Sequence, residues 1–411
     1  MQPPLSLNLF CVTFLTLGLG LGCGCSGKNP KRQVVESLGF SEVSLDWELK
    51  LPGPATDLSV SRDSGRIWFS SVGDPWSARG SKPTLSLLSP EGKRLFEFQP
   101  SWPVKFLAID PSGDRLIYVT HDHELTELSA ERSISRSEPS QVWSASRNCR
   151  PRFLEKSRLV LCHFDDETRP QAAFELLSRE GKVVHAFQPK TDALTLKVSE
   201  DEKWLLLSLP RGKAILWDLE TQKVSREFQV EGEIQDLAVS SGENPRIGIL
   251  GHSVNTGQLI YSFRRNQNRE TSKVPASHPF EDLEMDPDGE RLYLYSNSPH
   301  GQKISALDPD GLQEKWNFHE PRYADYSSGI QLFRQEKEKA VLLGVESLQD
   351  GVRQSRLIVL SSRDGSTQAR LHLPTEQGAY LYHSTPDAER GRLVVATDDG
   401  MLRAYRLRLK P

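Results

Sequence analysis

The sequence predicts an all-β protein, a closed ring of eight four-stranded antiparallel sheets over residues 43 to 411. The first observation is the stretch from Pro279 to His319, where four apolar runs are separated by Asp286-Pro-Asp-Gly289, a longer loop and Asp308-Pro-Asp-Gly311. Proline presets φ at the first corner and glycine accepts positive φ at the end, so each string can reverse the chain between antiparallel strands. The second observation is recurrence. Units aligned on that meander start near Ala55, Val104, Arg150, Ala193, Ile234, Phe280, Gly329 and Gly378, about 40 to 55 residues apart, and one such sheet cannot bury its own faces without neighbours. The third is a deficit: the final unit offers only three strands, and the run from Val43 to Leu51 supplies the missing one, so pairing the two ends closes the ring.

At the start of the chain, Leu5 to Gly22 carries no charge and leads into Cys23-Gly-Cys25. This stretch resembles a bacterial lipoprotein signal peptide, which implies removal of residues 1 to 22 and a lipid on Cys23. An ordinary secretory signal, or an uncleaved anchor with Lys28, Lys31 and Arg32 on the cytoplasmic side, is the alternative. Residues 23 to 42 read as a polar tether. In the body, 51 Lys and Arg stand against 55 Asp and Glu with no long block of either sign, which argues against a nucleic-acid surface.

Within the units, second strands such as Arg66-Ile-Trp-Phe, Arg115-Leu-Ile-Tyr, Trp204-Leu-Leu-Leu, Arg291-Leu-Tyr-Leu and Arg392-Leu-Val-Val are nearly continuous in apolar residues, so they should be buried on both faces between adjacent sheets. Ile215-Leu-Trp217-Asp218-Leu matches the Trp-Asp signature, and Ala306-Leu-Asp308…Gly311…Trp316 echoes the quinoprotein repeat. On these residues the chain resembles the WD-repeat and quinoprotein-like β-propeller superfamily. The resemblance implies the propeller fold and no subfamily activity.

In such a ring, the loops joining second to third strands share a face with the loops leading into the next blade. Long or unusual loops there are predicted at 73 to 82, 165 to 169, 251 to 257 and 346 to 353. They place Trp76, Arg79, Trp102, His121, His123, His252, Arg322, Tyr323, Tyr326 and Arg353 on one candidate binding face. Aromatic and arginine side chains on loops above a rigid scaffold are the composition of protein interfaces. His121-Asp-His123-Glu is the most metal-like string, but it lacks a third ligand and falls where a polar turn is expected. We find no phosphate-cradling loop, no nucleophile elbow and no nucleophile-base pair, and so assign no metal, cofactor or catalytic residue.

Centring the hairpin turn of the third unit on Glu155-Lys156 sets Cys149 directly opposite Cys162 on neighbouring strands. Opposed strand positions can be bridged, and an exported protein meets an oxidising compartment, so a disulfide is expected. The expected function is a monomeric, non-enzymatic scaffold, lipid-anchored in the bacterial cell envelope with the outer membrane favoured, that binds protein partners. Its functional analogue is the propeller lipoprotein of outer-membrane β-barrel assembly. The alternative is a periplasmic enzyme or small-ligand sensor using the central channel.

Overall fold

The structure, a computed structural model, describes residues 35–36, 42–51, 53–72, 82–136, 138–146, 149–154, 159–163, 174–187, 195–266, 272–275, 279–298, 300–321, 326–335, 338–349, 352–373, 381–387, 390–397 and 400–408. Eight antiparallel sheets follow one another along the chain. Their innermost strands are Ala55–Val60, Val104–Ile109, Arg150–Leu154, Leu196–Val198, Glu233–Val239, Asp282–Met285, Tyr326–Gln335 and Leu381–Asp387. Each lies at or within a few residues of a unit start read from the sequence, because the turn strings that mark those starts also fix where the chain reverses. We number the sheets as blades 1 to 8 in that order.

The ring closes through its two ends. Glu42–Lys50 forms the outer strand of blade 8 against Met401–Arg408, with a bulge between Leu45 and Trp47, after which Trp47 pairs with Ala404 and Leu49 with Leu402. Val35–Glu36, within the stretch read as a tether, adds a fifth strand to blade 7, with Val35 opposite Leu371 and Glu36 opposite Arg370. Among the described residues there is one helix, Ala130–Arg136, which joins the third and outer strands of blade 2.

The apolar core is divided among the junctions between blades, and alternation along each second strand explains why. In Trp204–Leu209, Trp204 and Leu206 pack toward blade 5, whereas Leu205 and Leu207 pack toward blade 3. In Arg392–Thr397, Leu393 and Val395 face blade 7, and Val394 and Ala396 face blade 1. Successive strand residues point to opposite faces, so a strand covered on both sides must be apolar throughout.

A tryptophan from an outer strand covers a turn of the following blade three times. Trp47 lies over Gly92 and donates its indole N–H to the Pro90 carbonyl at 2.9 Å. Trp143 covers Gly181 while donating to Glu127 at 2.8 Å, and Trp316 covers Gly365 while donating to the Ser362 carbonyl at 3.0 Å. These glycines have φ of +79°, +75° and +70°, and a Cβ at Gly92 or Gly181 would stand 2.6 or 2.7 Å from the ring above it. Only glycine satisfies both the turn and the close approach.

The two Asp-Pro-Asp-Gly strings behave differently. At Asp286–Gly289 the glycine takes φ of +71°, as expected, but at the second turn Leu312 takes the left-handed conformation at φ of +51° instead of Gly311. Leu312 is buried between blades 5 and 6, and that packing offsets the cost of the backbone.

Candidate binding surfaces on the loop face and at the hub

The loop face is built most clearly at blade 2. The turn between the strands Arg115–Thr120 and Glu124–Ser129 is tied to the segment leading into the blade, because the His121 N–H donates to the Pro103 carbonyl at 3.0 Å. His123 closes that turn at φ of +70°, and its N–H donates to the Thr120 carbonyl at 3.0 Å. The two imidazoles are exposed in a turn, and Trp102 beside them is 53% exposed. Among the described residues no group of three His, Cys, Asp or Glu side chains could hold a metal.

Two of the expected long loops are mostly strand. Gly251 and His252 belong to the strand Arg246–Ser253, whose ladder with Gly257–Arg264 runs to the pair Ser253 and Gly257. His252 is nevertheless exposed, and Val254 at the tip is 97% exposed. Arg353 is likewise a strand residue, paired with Leu348 in a ladder that reaches Gln349 and Val352. Polar strand ends that project beyond the core look like loop in a hydropathy pattern, although their backbone groups remain paired. Tyr326 opens the inner strand of blade 7, with Glu346 opposite it. Trp76, Arg79, Arg322, Tyr323 and Cys23 lie outside the described residues.

The expected opposition of Cys149 and Cys162 is not found. The ladder sets Cys162 opposite Pro151 and Arg150 opposite His163, a register two residues from the one expected. Both cysteines are buried in the core between blades 2 and 3, with Phe153 and Val160. The turn chemistry at Glu155 and Lys156 is too weak to fix register. The burial of Pro151, Phe153 and Leu154 fixes it instead.

At the hub, the innermost strands carry a repeated fastening. Asp57 accepts the N–H of Leu58 at 2.8 Å and that of Leu107, one blade on, at 2.7 Å. Asp236 does the same for Leu237 and Leu283 at 2.8 and 2.7 Å, and Asp282 for Leu283 and Ile330, each at 3.0 Å. Each carboxylate satisfies backbone donors on two blades at once, which a neutral side chain would do more weakly. The sequence carried a signal for this arrangement: the string Asp-Leu recurs at the same place in these three inner strands.

Charge is unevenly distributed around the hub. The inner strands of blades 2 to 4 present Lys105, Arg150, Arg152 and Lys197, while those of blades 5 and 6, with Glu281 just ahead of the latter, present Glu233, Asp236, Glu281, Asp282 and Glu284. Lys197 reaches across blade 5 to Glu284 at 2.5 Å. Burial works to lower the Lys197 pKa, but Glu284 and Asp236 hold it above its ordinary value. Burial pushes Asp236 up to about 7, with Lys197 opposing and Asp282 adding to the rise.

A ring of four-stranded blades, joined tail to head and fastened around a polar hub, defines the chain as an eight-bladed β-propeller. A solved structure similar to it is BamB from Moraxella catarrhalis, with a TM-score of 0.55 and 12% identity over 89% of this chain and 98% of that one. At that identity the likeness is one of fold. No family model matches the sequence, and no curated protein matches it in sequence. No helix among the described residues is long and apolar enough to cross a membrane.

Proposed function

We propose that this propeller is a non-enzymatic scaffold that binds protein through its loop face and is held at a membrane of the bacterial envelope by lipid on Cys23. The observation that carries the binding role is the patch at blade 2. An exposed indole, Trp102, stands beside the His121–His123 turn, and backbone hydrogen bonds hold that turn in place. A large aromatic surface presented on a rigid support loses little conformational freedom when it is covered, which is why such residues dominate protein interfaces. The fold shared with BamB supports the same reading, since the analogue drawn from the sequence is a propeller lipoprotein of outer-membrane assembly. Membranes of the native host, solubilised in detergent and passed over the tagged protein, test it. A defined protein partner should be retained by the wild type and lost by a Trp102→Ala, His121→Ala variant. Retention unchanged by the double substitution would place the interface elsewhere.

A further inference from the structure

The third strands of blades 5 and 6 begin alike, with Gly257-Gln258 and Gly301-Gln302. Gln258 pairs with His252 and Gln302 with Asn297, next to the hairpin on the loop face, and each precedes by two residues an isoleucine packed toward the following blade, Ile260 or Ile304. Residues two apart on a strand share a face, so both amides point at the following blade. Gln258 uses its amide fully. It accepts the Phe280 N–H and donates to the Phe280 carbonyl, both at 2.7 Å, and so grips the backbone of one residue ahead of blade 6. Gln302 is completely buried, and neither its side-chain oxygen nor its nitrogen has a hydrogen-bond partner.

The inner strand of blade 7 accounts for the difference. Counting from the residue whose N–H is fastened to an aspartate of the preceding blade, Leu283 in blade 6 and Ile330 in blade 7, the residue that matches Phe280 is Ser327. Phe280 lies ahead of the strand Asp282–Met285, whereas Ser327 is inside Tyr326–Gln335, opposite Val345, with a bulge before Ile330. Its backbone belongs to the ladder of blade 7 and is not offered to Gln302. Around Gln302 the apolar core between blades 6 and 7 gives way to a polar layer. Asn297 and Glu320 stand on either side of it in blade 6, and Arg356 and Arg370 share the opposing face of blade 7 with Ile358. Glu320 lies 3.0 Å from Arg370 and 3.9 Å from Arg356, so the carboxylate is matched while the amide is not. A buried amide with both bonds unmade is unfavourable, and its complement is a donor and an acceptor side by side, which is what one residue of an extended backbone presents. The layer meets water at Asn297, which is half-buried, and at Arg370, whose side chain is 28% exposed.

We propose that Gln302 grips an extended segment of a protein partner through the N–H and C=O of one residue, as Gln258 grips Phe280 within the chain. The site rests on the protein-binding reading but uses a different part of the ring from Trp102, so either can fail alone. The full-length chain, screened against a library of random hexapeptides, tests it. Peptides that bind one-to-one are expected. Gln302→Met, which keeps the side-chain length and removes both polar atoms, should weaken them at least tenfold, Trp102→Ala should leave them unchanged, and N-methylation at one backbone position of the peptide should abolish binding. No peptide bound, or equal binding by the wild type and Gln302→Met, overturns the site; loss in Trp102→Ala alone overturns it too, and assigns the peptides to blade 2. If Gln302→Met does not fold, hydrogen exchange of the wild type decides: a selected peptide should slow exchange in residues 301–307, and unchanged exchange there overturns the site.

Discussion

Asp236 and Leu283 join blades 5 and 6 through a single hydrogen bond of 2.7 Å, from the Leu283 backbone N–H to a carboxylate that also accepts the N–H of Leu237. Asp236 is 7% exposed, and burial raises the pKa of its carboxyl to about 7. Because that value lies above the one an unfolded chain would show, the folded state holds the proton more tightly. The associated stability is fully present below the unfolded pKa and is lost as pH rises through about 7. Melting temperature should therefore fall between pH 4 and 7.5 more steeply in the wild type than in Asp236→Asn. Parallel pH profiles of the two proteins would show that Asp236 does not carry this dependence.

Gly365 turns under Trp316 at φ of +70°, so Gly365→Ala strains the backbone and pushes a methyl group into the indole. A loss of about 1 to 3 kcal/mol is expected, whereas Gly257→Ala, with open space around it, should lose less. Denaturant unfolding of both variants measures the difference.

Deleting residues 43 to 52 removes the outer strand of blade 8 and, with Trp47, the contact that fastens it to blade 1. The edge of Met401–Arg408 would then be unpaired and the ring open. The expected result is loss of the single cooperative melt of the propeller. A truncated chain that melts with the full-length one would show that this strand does not secure the closure.

Cys149 and Cys162 lie in the core between blades 2 and 3, so both should resist alkylation in the folded protein and react once it is denatured, without added reductant. Cys162→Ser places a hydroxyl in that apolar site and should destabilise by about 1 to 3 kcal/mol. Mass spectrometry of protein alkylated before and after denaturation reads the first outcome, and chemical unfolding the second.

The proposed anchor predicts that the chain partitions with membranes and incorporates a fatty-acid analogue, and that Cys23→Ala abolishes the labelling. Labelling that persists in the variant would move the attachment to Cys25. A wild type that takes up no label would remove the lipid from the proposal.

The strings Asp286-Pro-Asp-Gly289 and Ser89-Pro-Glu-Gly92 are local, and local turn chemistry with the apolar second strands was enough to place eight blades and pair Trp47 and Leu49 with the last strand. Those features act over a few residues and repeat, so their physics can be read along the chain. Register and hub geometry are different in kind. Cys162 faces Pro151 because buried side chains from two blades choose the pairing, and a shift of two residues preserves the alternation that the sequence displays. The carboxylates of Asp57 and Asp236 acquire their role only when the inner strands stand side by side, with bulges between Ala55 and Asp57 and between Ile234 and Asp236 setting which residue meets the next blade. His252 and Arg353 passed for loop residues because polarity marks exposure, while backbone pairing decides strand. The sequence by itself therefore determined the repeat, the ring and its closure, and the tertiary structure alone decided which charges meet at the hub, because that meeting depends on contacts between units far apart in the chain.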